Sequence, residues 1–202
     1  MRLIIAATTN KDKVKEFEEI LGGKVLPMSA IGFAEDVEET GTTFVDNALI
    51  KAKAVAIYIA KNCPEYAEAA VLADDSGLEI DYYNGEPGIY SHRWLGDRTY
   101  YQAMSDVLAD MQDVPDEKRG ARFVCAMAVV SPSGSFADQT VRETVEGIVG
   151  HEIVGENGFG YDPFFYVPEL GCTTAQLSSM DKHKISHRGK ALRAMVEKVK
   201  QL

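Results

Sequence analysis

Leu72-Ala73-Asp74-Asp75-Ser76-Gly77-Leu78 is the stretch on which the reading of this chain turns. Small and apolar residues from 69 to 73 run into two adjacent carboxylates, and a hydroxyl, a glycine and a second apolar segment follow. A short apolar run bounded in this way predicts a buried strand. Carboxylates at its end stand where open α/β sheets place their ligands. Two neighbouring carboxylates repel unless a cation or a shared proton settles them. Mg2+ is the ordinary cation for such oxygen ligands, and it usually arrives with substrate phosphates. The competing structural reading is an Asp-Ser-Gly turn between strands at 71–73 and 78–82. Both readings end the first strand at the carboxylates.

The bulk properties bound what such a site can serve. The 202 residues are 46% hydrophobic and 26% charged, which suits one globular domain, or one domain with two lobes. A net charge of −10 excludes a nucleic-acid backbone as a bulk partner. No apolar run is long enough to span a membrane, and the first seven residues read as a strand rather than a secretion signal. Cys63, Cys125 and Cys172 are odd in number and lack metal-like spacing, so they read as thiols of a reducing compartment, the cytoplasm.

Working outward, residues 2–7 read as a strand, and Asn10 caps a helix at 11–21 that Gly22-Gly23 ends. A short strand is expected at 24–28, and an acidic irregular stretch at 32–42. Thr43 with Asp46 caps a helix to about Asn62, stopped by Cys63-Pro64. Asn84-Gly85 signals a hairpin. A helix follows at 99–111. Strands at 121–130 and 136–149 are joined by Pro132-Ser133-Gly134 and should pair antiparallel. A short strand at 164–167 precedes a C-terminal helix opened by Ser186 or Gly189 and reaching the chain's end, with Leu192, Met195, Val196 and Val199 inward. The mixture is α/β: a twisted mixed sheet with helices on its faces.

Four constellations bear chemistry. Thr8, Thr9, Asn10, Lys11, Asp12 and Lys13 join a strand to a helix start, which favours anions and could cradle a polyphosphate. Plain capping by Asn10 is the structural alternative, and the glycine pattern of a Walker loop is absent. Glu38-Glu39-Thr40-Gly41 could supply a metal ligand, with Lys51 two turns into the next helix reaching a phosphate. Gly158-Phe159-Gly160-Tyr161-Asp162-Pro163 offers close backbone approach and aromatic faces for a base. Within residues 178–189, Ser186-His187-Arg188 sits at a helix start and supplies donors that suit a keto oxygen or an anion, and not the exocyclic amine of adenine; a basic solvated helix entry is the structural alternative.

Together, these motifs resemble the inosine/xanthosine triphosphate pyrophosphatases, the Ham1-like family. The resemblance covers nearly the whole chain: Thr8, Asn10 and Lys13; residues 38–41; 44–51; 73–78; Gly85-Glu86-Pro87-Gly88-Ile89-Tyr90-Ser91; 158–163; and Ile185-Ser186-His187-Arg188-Gly189. It implies a long twisted mixed sheet whose helices form two lobes around a central nucleotide cleft, all within one domain over 1–202, and a homodimer. It implies hydrolysis of ITP, dITP or XTP to the monophosphate and pyrophosphate, with Mg2+, cleansing the nucleotide pool. By motif, Asp75 is the general base and Glu38 with Asp75 holds the metal. Residues 8–13, Lys51 and Ser76 meet the phosphate end, Phe159, Gly160, Tyr161 and Asp162 form the nucleoside wall, and Lys182, His187 and Arg188 recognise the purine. Thr9 departs from the glycine of many members. The 62–70 segment is longer than usual, which implies a surface difference. The alternatives are a Maf-like pyrophosphatase for modified pyrimidines and a nucleotide-binding sensor without turnover.

Overall fold

The computed structural model describes residues 2–199, with side chains to residue 198. The strands are β1 (Ile4–Ala6), β2 (Leu26–Pro27), β3 (Ala70–Ile80), β4 (Gly120–Val130), β5 (Gln139–Val149), β6 (Phe165–Val167) and β7 (Cys172–Thr173). The helices are α1 (Lys11–Leu21), α2 (Phe44–Asn62), α3 (Tyr100–Asp110), α4 (Ser179–Ile185) and α5 (His187–Val199). Among the described residues, the seven strands lie in the order β2-β1-β3-β4-β5-β6-β7. β1 pairs parallel with β2 and β3, and β6 pairs antiparallel with β5 and β7, so the sheet is mixed. No helix among the described residues is long and apolar enough to cross a membrane.

The chain divides into two compact units. Unit 1 takes the chain up to Asp75, residues 125–143, and the chain from Lys190 onward; unit 2 takes 76–124 and 144–189.

In unit 1, alternation along the strands builds two apolar layers. Ile5, Val71, Ala73, Ala128 and Val130 face α2 through Ala48, Ala52, Val55 and Ile59. Ala6, Leu72, Cys125, Met127 and Val129 face α1 and α5 through Phe17, Leu192 and Met195. The ends of α1 follow their local chemistry. The Asn10 side chain accepts from the amides of Asp12 and Lys13, and Gly22 closes the helix at φ 64. α2 starts at a Thr43 cap and stops at Cys63, as its sequence predicts.

Unit 2 has one strongly apolar layer. Leu78, Ile80, Phe123, Val145 and Val149 pack on Ala103, Met104 and Val107 of α3 and on Met111. On the strands' alternate positions, Arg122 pairs with Glu79, Asp81 and Glu146. Arg119, buried, donates to the carbonyls of Met111, Val114, Val149 and Gly150, so it ties the end of α3 to the end of β5.

The structure corrects the sequence reading at its centre. β3 does not stop at the carboxylates; Asp74 and Asp75 lie within one continuous strand. β1 ends at Ala6, paired with Leu72, and β3 runs on past it with β4 as its other neighbour. Ladder pairing on β4 overrides the turn tendency of Ser76-Gly77, because sheet propensity depends mainly on context. Elsewhere the 24–28 strand shrinks to β2, with a short helical turn at Met28–Ile31. Asn84 does turn, at φ 55, but the return arm makes only the isolated bridge Glu79–Pro87. β4 and β5 are sheet neighbours, with β5 starting at Gln139 rather than 136. β7 and α4 went unanticipated. α5 opens at His187 after a Ser186 cap to α4, with Leu192 and Met195 buried and Val196 half-buried. The inward placing of Val199's side chain, and the helix's reach to the chain's end at 200–202, lie outside the described residues.

Candidate active site

Asp74 and Asp75 are successive residues of an extended strand, so their side chains leave opposite faces of the sheet. Parity along β3 sends Asp74 to the α1 side, with Leu72, and Asp75 to the α2 side, with Ala73. The contacts agree. Lys13 Nζ of α1 lies 3.1 Å from Asp74 Oδ1. On the other face, Lys51 Nζ of α2 donates to Asp75 Oδ1 at 3.4 Å and to Glu39 Oε1 at 2.6 Å. Each aspartate therefore has its own close lysine, although Lys51 also interacts electrostatically with Asp74. Both are buried, at 1% and 6% exposure, so these lysines are what make their charge tolerable there.

Asn47, fully buried on α2, completes the Asp75 side. Its Nδ2 donates to Asp75 Oδ2 at 3.1 Å, and its Oδ1 accepts the Gly41 amide at 2.9 Å. It thus ties the acidic loop to the catalytic candidate. Gly41 is required there, because a Cβ would sit 2.6 Å from Asn47 Oδ1. The signal for Asn47 was available: it is a polar residue on a helix face otherwise made of Phe44, Ala48 and Ala52. Glu38 is exposed on the same loop, and Glu39 is the residue that meets Lys51.

Burial pushes the Asp75 carboxyl up, Lys51 opposes this, and Glu39 adds to it; the net pKa is above the ordinary carboxylate value. For Lys51, burial works against the ammonium, but Asp75, Asp74 and Glu39 together hold its pKa above the ordinary value. A raised carboxyl pKa means that the fold carries a cost once Asp75 ionises. That cost is absent below the unfolded value, 3.8, and develops as pH rises through the raised folded value. In EDTA, Asp75→Asn is therefore expected to melt at or above the wild-type temperature at pH 7, with the difference shrinking toward pH 4. A variant that melts lower at pH 7 and recovers in acid contradicts this sign.

The 8–13 loop is more occupied than its sequence suggests. Asn10 accepts from the amides of Asp12 and Lys13, and its own amide donates to Thr8 Oγ1 at 3.1 Å. An anion arriving here meets side chains rather than those amides. Thr9, Lys11 and Asp12 are exposed, and Lys13 is half-buried toward Asp74.

Unit 2 carries the aromatic and basic residues. Asp162, 2% exposed, has its carboxylate fully engaged. Oδ2 accepts from the Phe159 amide at 2.8 Å and Lys182 Nζ at 2.7 Å, and Oδ1 accepts from Thr174 Oγ1 at 2.8 Å. Gly158, at φ 74, makes this possible: a Cβ there would collide with Asp162 Oδ2. Lys182 Nζ and the Arg188 guanidinium lie 5.1 and 5.4 Å from the centroid of the Phe159 ring. Arg188, buried, donates to Ser76 Oγ at 3.4 Å. His187 stacks on Phe123 at 4.9 Å. Gly160 has φ 67. Tyr161 is buried edge-on to Tyr100, and its hydroxyl donates to the Ser91 carbonyl at 2.8 Å. Burial, and Tyr100 beside it, hold the Tyr161 phenol well above its ordinary pKa, so it remains a neutral donor.

The expected residues thus fall into two sets. Unit 1 holds Lys13, Lys51, Asp74 and Asp75 with Glu39 and Asn47. Unit 2 gathers Ser76, Phe159, Asp162, Lys182 and Arg188. Glu39, Asn47 and Ser91 entered the sequence reading only as members of motifs, without a role of their own, and Thr174 did not enter it.

Comparison with known proteins shows the family of the chain. A family model described as the Ham1 family matches residues 4–198. A Bacillus subtilis protein named dITP/XTP pyrophosphatase is 46% identical over 199 residues, 96% of each chain. A Bacillus cereus protein of the same name is 43% identical, over 98% of this chain and 95% of that one. The solved structure of a HAM1 protein from Coxiella burnetii superposes with a TM-score of 0.84 at 36% identity, covering 100% of both chains.

Proposed function

This chain belongs to the Ham1 family, and from that premise we propose that it hydrolyses noncanonical purine nucleoside triphosphates, ITP, dITP and XTP, to the monophosphate and pyrophosphate. It is a hydrolase of nucleoside triphosphates, as its relatives' names state for them. The observation that carries the reading is the buried Asp75 carboxylate set among Lys51, Glu39 and Asn47. A carboxylate with raised proton affinity suits a general base acting on water. Lysines already paired to carboxylates can exchange toward an arriving polyphosphate.

The donor set suits Mg2+. The available groups are carboxylate oxygens, and Lys51 Nζ within reach of both Glu39 and Asp75 marks a point where two of them converge on positive charge. Among the described residues, no three His, Cys, Asp or Glu side chains are grouped for a metal. The remaining ligands would come from phosphates and water, as is usual for Mg2+. Asp75 and Glu38, the latter exposed on the loop that carries Glu39, are the proposed holders, and Mg2+ when bound supplies charge screening and orientation of the leaving pyrophosphate.

In this reading, Asp75 takes the proton of the water that attacks the α-phosphorus. Lys11, Lys13 and Lys51 neutralise the triphosphate, with Thr8, Thr9, Asn10 and Asp12 lining its approach and Ser76 beside it. The Phe159 ring offers the stacking face. Tyr161, Gly160 and Asp162 shape the loop that presents it. Lys182, His187 and Arg188 donate toward the 6-keto oxygen. ATP sets an amine donor against those donors, and an unpaired buried donor costs about 1–3 kcal/mol, roughly 10–100-fold per contact. The assembly proposed is a homodimer, which rests on the family resemblance. The reducing cytoplasm suits the free thiols Cys63, Cys125 and Cys172.

The test is pyrophosphate release from dITP and XTP beside ATP, with Mg2+ and with EDTA. Release from the first two, dependent on the metal and far above that from ATP, is expected. Equal turnover of ATP, or binding without release, would overturn the reading.

A further inference from the structure

Ser91 lies outside both residue sets just described, yet it joins three segments of unit 2. It is 6% exposed. Its Oγ accepts the Leu78 amide of β3 at 2.8 Å and donates to the Gly88 carbonyl at 2.6 Å. Its own carbonyl accepts from Tyr161 Oη at 2.8 Å. Leu78 is two residues beyond Ser76, the partner of Arg188. Tyr161 is flanked by Gly160 and Asp162, in the loop that carries Phe159.

We propose that Ser91 is a positioning residue for purine recognition: with the Tyr161 hydroxyl it forms a buried strut that fixes the 158–162 loop against β3. The physical case rests on connectivity. Gly158 and Gly160 both have positive φ, at 74 and 67, so the loop backbone lies where most residues do not hold it locally. Its placement must come from anchors. One is Asp162, through Lys182 and Thr174. The other is Tyr161, whose ring packs on Tyr100 and Phe164 but whose hydroxyl has direction only through the Ser91 carbonyl. Ser91 is itself held to β3 by its side chain, so displacement of the serine moves the loop anchor. No atom of Ser91 is assigned a contact with substrate. This inference rests on the reading that the purine lies against Phe159.

The gentle variant is Tyr161→Phe, which keeps the ring and removes the hydroxyl; Ser91→Ala removes the other end. Each is expected to raise the KM for dITP by about 3- to 10-fold with kcat within about twofold, the range for a lost buried hydrogen bond that acts on binding. Because both cut the same strut, the double variant should be no worse than the poorer single one. Additive effects on KM, a fall in kcat at unchanged KM, or no change in either overturns the proposal. A second readout needs no substrate. The Phe159 amide, bonded to Asp162, should exchange its hydrogen faster in both single variants, while the amides of residues 126–128 in β4 stay as in the wild type. Should the wild type release no pyrophosphate from dITP, the functional reading falls instead. Unchanged exchange at Phe159 removes the strut whatever the activity.

Discussion

Asp75→Asn is expected to lower the rate of pyrophosphate release from dITP by about 10²–10⁴-fold, the range for loss of a positioned general base. The substitution conserves shape. An asparagine oxygen can still accept from Asn47 Nδ2, which now lies 3.1 Å from Asp75 Oδ2. Lys51 keeps its 2.6 Å partner in Glu39. The fold and the triphosphate contacts should therefore survive, and binding of the monophosphate product, measured by calorimetry, should change little. Two losses remain, the base and a metal-holding charge, and Mg2+ titration separates them. Activity that returns at high Mg2+ indicates a metal role alone. Activity that stays lost at saturating Mg2+ is the result expected here. Turnover by the variant within tenfold of the wild type would remove Asp75 from the chemistry.

The second large effect is on selectivity. Arg188→Ala is expected to raise the KM for dITP by about 10–100-fold while leaving the weak ATP reaction almost unchanged, so that discrimination between the bases collapses. Arg188 is 2% exposed, its guanidinium lies over Phe159, and it donates to Ser76 Oγ. A buried guanidinium presents several donors in a fixed plane, which suits a keto acceptor. Against an exocyclic amine it has nothing to donate to, so its removal costs ATP little. Arg188→Lys keeps the charge without the planar fork and should recover only part of the preference. An equal rise in KM for dITP and ATP would assign Arg188 to the phosphates or to the fold instead. Thermal melting of the variant checks the fold directly.

Much of the candidate site was legible because its chemistry is carried by residue type in local context. The Asn10 cap, the Gly22 stop, the Thr43 cap and the helix at 44–62 are short-range decisions, and they came out as the sequence indicates. Lys13, Lys51, Asp75 and the 158–162 loop stand out because charged and glycine-flanked aromatic residues interrupt patterns that would otherwise be plain core. Thr174 and Ser91 did not stand out. A serine or threonine in a loop carries no mark of the distant carboxylate or tyrosine to which it bonds. At the 11–21 helix start the sequence left both an anion cradle and a plain Asn10 cap open, and the structure shows Asn10 accepting from two of the amides.

The sequence by itself determined which groups are present and which short segments they begin or end: two acids after an apolar run, lysines in two helices that precede them along the chain, a glycine-framed aromatic, and a basic helix entry. Only the tertiary structure decided what the two acids do. Read locally, Ser76-Gly77 is a turn and Asp74 and Asp75 are a repelling pair. Held in β3 beside β4, past the end of β1, the same residues are extended. The alternation of an extended strand then sends one carboxylate to Lys13 and the other to Lys51. That alternation acts only once a neighbouring strand from far along the chain has fixed the backbone.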